Sequence, residues 1–473
     1  MSTETIHPPL AFHGKAMGAL LPFLLFVGGV IAIALSGAPD EKGFWPVLLA
    51  ALALGLLLSK DKNRYSQVLI EGMSQPIVMI MITAWMLASV IGVLMTLTGF
   101  VEALSWLAAQ MNLSGTGFVL ATFVICCIVS LSTGSSFATI LICSPILYPA
   151  GGMLGAHLPT LAGAIIGGAT FGDFTAPISD TTIASALSQD AELGRAVRSR
   201  LKYILPVLAV AMIAYPMSNY FFMEKSEAIQ QGISGDPAGM PMLLVPVFIL
   251  FLFLRGKHLF HGLLGGLIFG TILGLLTGLL PPEKLLSLDR ENFTARSFII
   301  DGINRAVGIS FFTILLMGMV ATLKSSGLVD RLVGFASNRT QRPLHAESWI
   351  AATAGGAVLL TTHSIVAILM VTEFARHTGE KMGLSPVRRA NILSMVVCVF
   401  PFLLPYFIPV ILMANTSSSG ADFGVAPVNT LQAGLFNFVA WGLLIMLLLT
   451  IVGAYGRKAD QNPDPSKLQT HAV

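Results

Sequence analysis

"GDFTAPISDTT", residues 172–182, sets two aspartates, a proline and four hydroxyl residues inside an otherwise apolar stretch, 158–189. The meaning of that stretch depends on its solvent. The 473-residue chain is 55% hydrophobic and 11% charged, with a mean hydropathy of +0.80. A soluble domain carries about 25% charged residues, so the composition predicts an all-α polytopic membrane protein. In a bilayer, irregular backbone survives only where protein or a water-lined cavity surrounds it. Gly172 and Pro177 predict a helix break near 171–178, since proline removes a donor and clashes with the preceding turn. The freed carbonyls, the hydroxyls of Thr175, Ser179, Thr181 and Thr182, and the carboxylates of Asp173 and Asp180 would then form an oxygen-only site. Such a site suits Na+, Li+ or a proton rather than a transition metal, which prefers thiolate or imidazole. A charged Asp at mid-membrane costs about 2.5–3.5 kcal/mol on insertion scales. One carboxylate holds a proton or a cation in turn, and that competition suffices for exchange. Asp180, flanked by hydroxyls, is the leading ligand and Asp173 the second. The competing reading is that both aspartates only cap the half-helices.

Working outward, apolar runs long enough to span a bilayer fall at 17–36, 44–59, 75–98, 203–222, 241–255, 259–280, 307–327 and 431–455. Four other stretches are interrupted. Residues 116–149 hold two arms around "STGSS" (132–136), and 348–375 hold two arms around "TTHS" (361–364). Residues 158–189 carry the opening motif, and 391–413 carry Pro401, Pro405 and Pro409. With the N-terminus cytoplasmic and both two-armed segments treated as re-entrant hairpins, 21 of the 27 Lys and Arg face the interior. That is the bias the positive-inside rule requires. Two full crossings per hairpin would preserve it, but the arms are short for full spans, which favours re-entrance. Residues 1–16 are polar and lead into a retained first helix rather than a cleaved signal peptide.

The elements repeat. Both 17–222 and 241–455 read span, span, span, hairpin, broken helix, span, starting on opposite sides of the membrane. The expectation is two inverted-topology repeats, joined by a linker, 223–240, between a cytoplasmic N-terminus, 1–16, and a cytoplasmic tail, 456–473. At an offset of 232 the first hairpin break falls on Ser364 and the opening motif on 401–409. A competing echo, "DFGVAPVNT" (422–430), leaves 414–430 open between an exterior loop and a second break involving Asn415 and Asp422.

The hairpin tips carry the other candidate residues. Ser132, Thr133, Gly134, Ser135 and Ser136 on one, and Thr361, Thr362, His363 and Ser364 on the other, would aim hydroxyls and N–H groups at one centre. A helix N-terminus there attracts anions, so a carboxylate substrate is an alternative cargo. His363 titrates near neutral pH in model peptides, although a lone His in a packed tip is more often structural. The four cysteines lie in apolar segments without metal-ligand spacing and read as small buried hydrophobes.

"FGDFTAPISDTT" (171–182) closely resembles the signature of the NhaC-type sodium/proton antiporter family, within the broad ion-transporter superfamily. "STGSSFAT" (132–139) resembles that family's upstream hydroxyl-rich motif, with Phe137 where a Trp often stands. The resemblance implies inverted repeats, re-entrant hairpins and Na+/H+ exchange involving Asp173 and Asp180. The function expected is a secondary transporter, not an enzyme, exchanging Na+ or Li+ for H+ across the cytoplasmic (inner) membrane, with both termini cytoplasmic. The alternative is a Na+- or H+-coupled exchanger of small organic acids or amino acids. A passive channel and an intramembrane aspartyl protease are weaker readings; the protease places its aspartates on separate helices. The partners are the cation, H+, the bilayer and, in the alternative, a small organic anion. A homodimer is an open option. No cofactor is expected, and the absence of a basic stretch with interleaved aromatics excludes nucleic acid.

Overall fold

A computed structural model describes residues 9–456 except 37–40, 112–113, 224–235, 256, 258, 291–292, 329–330, 332–342 and 453–454. Half of the N-terminal segment 1–16 and most of the linker 223–240 and the tail 456–473 therefore lie outside the described residues. The first half comprises α1 (Ala16–Leu35), α2 (Phe44–Leu58), α3 (Lys62–Met73), α4 (Pro76–Leu97), α5 (Phe100–Gln110), α6 (Gly115–Thr133), α7 (Ser136–Met153), α8 (Leu158–Thr175), α9 (Asp180–Ser188) and α10 (Leu193–Phe222). The second comprises α11 (Leu244–Leu254), α12 (Leu259–Leu276), β1 (Ser287–Asp289), β2 (Thr294–Arg296), α13 (Phe298–Ser325), α14 (Pro343–Thr361), α15 (Ser364–Lys381), α16 (Pro386–Val397), α17 (Ile408–Ser417), α18 (Thr430–Leu435) and α19 (Phe438–Val452). Seven of the described helices are long and apolar enough to cross a membrane. The protein is an all-α polytopic membrane protein, its only described strands being the small antiparallel hairpin β1–β2.

Two helices escape the apolar-run reading. α3 is amphipathic: Asp61 accepts from Arg64 N at its start (2.9 Å), and Tyr65, Val68 and Gly72 are buried. Gly72 approaches the Met317 carbonyl of α13, where a Cβ would come within 2.5 Å. α5 follows a left-handed turn at Gly99 (φ +70°). Both are too short to span, which is why hydropathy passes over them.

The hairpin arms differ from expectation. α6 and α7 have 19 and 18 residues, each long and apolar enough to cross a membrane, so arm length does not favour re-entrance. α6 also makes close contact with α8. A Cβ on Gly172 would lie 2.0 Å from Ser130 Oγ and 2.4 Å from the Ser130 carbonyl carbon, and Gly168 is held as tightly against Cys126. Small residues four apart let the two backbones touch where lipid supplies no hydrophobic drive. Gly172 is therefore a packing residue inside α8 and not the helix break expected of it. The break begins at Ala176, one residue before Pro177.

The two hairpins share one backbone turn. α6 ends on Gly134 (φ +64°) and α14 ends before Thr362 (φ +52°). Ser135 (φ −135°, ψ 116°) and His363 (φ −135°, ψ 117°) then open α7 and α15. Adding 228 to Gly134, Ser135, Ser136, Leu158 and Asp180 gives Thr362, His363, Ser364, Pro386 and Ile408, the matching positions of the second half. Residues 414–430 do not form a second break of this kind. Asn415 ends inside α17, a 3-10 turn covers Ser418–Phe423, and Asp422 pairs with Arg305 at 2.8 Å on the surface.

Candidate functional site

Four interruptions meet in one place. A cavity of about 70 Å³ is lined by the first tip (Gly134, Ser135, Ser136, Phe137), the α8–α9 break (Asp173, Asp180, Thr181), the second tip (Thr362, His363, Ser364, Ile365) and the α16–α17 break (Pro401, Phe402, Ile408, Pro409). Backbone irregularity inside a membrane is tolerated at such a lining. The freed groups are met locally. The Asp173 carbonyl accepts from Thr181 Oγ1 (3.1 Å) and Thr182 Oγ1 (3.3 Å). Asn437 donates to the Phe402 carbonyl (3.2 Å) and to Thr170 of α8 (3.1 Å), tying the second break to the first.

Asp173 is the centre of the acidic side. It is 7% exposed, and its carboxylate accepts from Ser179 Oγ (2.7 Å), Thr181 Oγ1 (3.0 Å) and Ser136 Oγ (3.2 Å). No ion pair among the described residues involves it. Ser179 occupies the N-cap position of α9 but caps nothing; its hydroxyl is diverted to Asp173. This departs from the competing capping reading, because local helix chemistry gives way to the carboxylate. Asp180 starts α9 and is exposed, so the order of the two aspartates is the reverse of the sequence expectation. Its neighbouring hydroxyls point at Asp173.

Other candidates fall away from the centre. Thr175 and Ser132 donate back to the Phe171 and Ile128 carbonyls of their own helices (2.6 and 2.7 Å). Thr133 and Thr361 bond within their own tips. Thr182 accepts from Arg200 (2.7 Å). Pro405 and Asp422 do not line the cavity, and Asn415 lines a separate one of about 30 Å³ beside Arg305.

The two tips are unequal. On the first, Ser135 caps Ala138 N (3.2 Å) and Ser136 serves Asp173. On the second, Ser364 donates to the Val397 carbonyl (3.1 Å), while Thr362 Oγ1 and His363 Nδ1 are buried without a hydrogen-bond partner. The residue 228 beyond Asp173 is Pro401. One half of the site carries the charge and the other carries free polar atoms.

Sequence reasoning missed the buried guanidinium groups. Arg200 and Arg388 are fully buried and Arg389 is 2% exposed, although all three read as a solvated positive-inside loop. The signal was present on α10. Arg200 lies on the stripe of Ala196, Tyr203, Val207 and Ala211 that faces the protein, which is a helical spacing.

Residues 11–219 match the model of the Na+/H+ antiporter family. The match covers 209 of the 473 residues, a little under half of the chain. It contains the first tip, the α8–α9 break and Asp173, so the resemblance read from the two motifs is shown where the acidic side of the site lies. Among antiporter relatives, the malate-2H+/Na+-lactate antiporter of Bacillus subtilis is 26% identical over 250 residues, 50% of this chain and 53% of that protein. The Na+/H+ antiporter NhaC of Alkalihalophilus pseudofirmus is 31% identical over 170 residues, 36% of each chain. NhaC of Bacillus subtilis is 29% identical over 197 residues, 38% of this chain and 40% of that one. The match thus spans about half of the first relative and less of the others.

Proposed function

We propose that this protein exchanges Na+ or Li+ for H+ across the cytoplasmic membrane by alternating access, with Asp173 carrying either ion in turn. The observation that carries the reading is the Asp173 cradle. A buried carboxylate, bonded by three hydroxyls and no cation, lines the cavity where four broken segments meet. A hydroxyl donates to an ionised carboxylate and, after rotation, offers lone pairs to a metal ion. The same cradle therefore suits both the ion-free and the Na+-loaded carboxylate. Coupling requires only that the empty carboxylate reorient more slowly than the loaded one. The common turn and the spacing of 228 support two repeats, 17–222 and 241–455, which we place in inverted orientation with both termini cytoplasmic. The family and the names of the relatives support transport rather than enzymatic chemistry.

The test is dissipation of a pH gradient in everted vesicles, titrated with Na+, Li+ and K+. Na+ and Li+ are expected to collapse the gradient and K+ to leave it. A gradient indifferent to Na+ and Li+ overturns the reading. Ser179→Ala refines it. No helix cap is lost, so thermal stability in detergent falls by no more than the one buried hydrogen bond removed. Loss of one hydrogen bond to a charged group, about 1.5–3 kcal/mol, raises half-saturating Na+ by about tenfold or more.

A second reading is favoured by the second tip. Thr362 is a β-branched residue in the left-handed region, a strained placement that glycine would relieve. Its hydroxyl and His363 Nδ1 are unpartnered at the N-terminus of the 18-residue α15, where an anion is favoured. A small organic acid would use those groups, and one relative's name includes malate and lactate. Thr362→Gly is expected to stabilise the fold by about 1 kcal/mol while lowering transport. Under this reading an organic acid changes vesicle pH without added Na+; a wild-type transport rate in Thr362→Gly argues against any substrate role for the tip.

A further inference from the structure

Arg200 is a permanent charge buried directly behind the broken helix. Its Nη1 donates to the Phe174 carbonyl (3.0 Å), at the end of α8, and to Thr182 Oγ1 (2.7 Å). Its Nη2 donates to Ser185 Oγ (2.8 Å) on α9, and Nε to Asn391 Oδ1 (3.3 Å) on α16. The guanidinium also lies over the Phe174 ring, 5.4 Å from its centroid. Every one of these partners is neutral. A buried charge without an ionic partner costs several kcal/mol, and two features offset it. The α8 C-terminus turns its negative dipole end on the guanidinium. Asp173 lies one residue before Phe174, and its carbonyl is bonded by the same Thr182 hydroxyl that accepts from Arg200. The Thr182 hydroxyl and the Asp173 carbonyl thus separate one fixed positive charge from one exchangeable site. Neither Arg200 nor Thr182 lines the cavity, so the guanidinium acts on the cation through the protein and not by contact.

We propose that Arg200 is the fixed counter-charge of the cation site: it clamps the two halves of the broken helix through the Phe174 carbonyl on one side and the Thr182 and Ser185 hydroxyls on the other, and weakens Na+ binding at Asp173 enough for the ion to leave. This rests on the reading that Asp173 binds Na+. Proton competition displaces the ion, and a site that gripped Na+ too tightly would slow that exchange. A like charge fixed in a medium of low dielectric lowers cation affinity by an amount solvent screens little. Arg is suited to the task because it stays charged and its planar fork reaches several oxygens at once.

The proposal makes a prediction opposite in sign to that of a merely structural arginine. Radiolabelled Na+ binding to the purified protein, at one alkaline pH, is measured beside Na+ KM and turnover in everted vesicles. Arg200→Gln is expected to bind Na+ about tenfold more tightly and to turn over more slowly because release is hindered. Arg200→Lys keeps the charge and is expected to stay near wild-type affinity despite losing the fork. A residue needed only for shape would give weaker Na+ binding in both. Ser185→Asp offers the same electrostatic change with the guanidinium in place, and it too is expected to tighten binding if Arg200→Gln fails to reach the membrane. Asp173→Asn is the control. If it still binds Na+, the reading of the site fails whatever Arg200 does. If it loses binding while Arg200→Gln or Ser185→Asp binds no more tightly than wild type, the Arg200 proposal fails alone.

Discussion

Asp173→Asn is expected to reduce Na+-dependent proton movement in everted vesicles to the level of vesicles lacking the protein. The amide keeps the volume, and its oxygen still accepts from Ser179 and Thr181, which share Oδ1; its NH2 takes the place of Oδ2 and donates to the Ser136 hydroxyl once that hydroxyl rotates, so the fold and the membrane level are expected to stay near wild type. What is lost is the ability to bind a proton at one face and a metal ion at the other. Asp180→Asn is the contrasting variant. Asp180 lines the same cavity but is exposed, and a solvated charge contributes at most about 1 kcal/mol, roughly fivefold in half-saturating Na+. The assay therefore separates a carrier from a neighbour: background exchange in one variant, a modest change in affinity in the other. Near-normal exchange in Asp173→Asn would overturn the assignment, and background exchange in Asp180→Asn would restore the order expected from the sequence.

Glu347→Ala is expected to cost about 3–5 kcal/mol of stability, the largest effect on folding expected outside the cavity. Arg388 Nε lies 3.1 Å from Glu347 Oε1, and both side chains are fully buried. Nη2 donates to Oε2 (3.3 Å) and to the Thr450 carbonyl (2.8 Å), and Nη1 to Tyr203 OH (2.9 Å) and the Tyr455 carbonyl (2.6 Å). The pair thereby joins α14, α16, α10 and the end of α19. Removing the glutamate strands a guanidinium in the interior. Replacing both partners, as Glu347→Leu with Arg388→Met, is expected to recover most of the loss, since two apolar groups leave no charge to solvate. Thermal unfolding in detergent reads both. A single variant as stable as wild type would show that the ion pair is dispensable.

Much of this molecule was legible in its residues. Composition gave the membrane class, and the interrupted stretches gave two hairpins and two broken segments, because proline and polar clusters inside apolar runs leave few alternatives in lipid. The hydroxyl-rich motifs identified Ser136, Asp173, Ser179 and Thr181 as candidates. The order of the aspartates was not legible. Asp180 has hydroxyl neighbours on both sides in sequence, yet Ser179 and Thr181 turn toward Asp173 across the break. Gly172 looked like a breaker because glycine disfavours helices, whereas here its missing Cβ admits Ser130. Arg200, Arg388 and Arg389 looked solvated because a run of charges at a helix end usually is.

The sequence by itself determined the solvent, the helical class, the interruptions and the residue types available to a cation. Each follows from local rules: a bilayer demands apolar length, and proline withholds a donor. Only the tertiary structure decided which carboxylate is enclosed, that one tip serves it while the other keeps its polar atoms free, and that a permanent positive charge stands behind it. Those outcomes depend on which surfaces meet across the chain, 37 residues from Ser136 to Asp173 and 26 from Phe174 to Arg200, and the energy of a charge depends on what surrounds it rather than on what adjoins it.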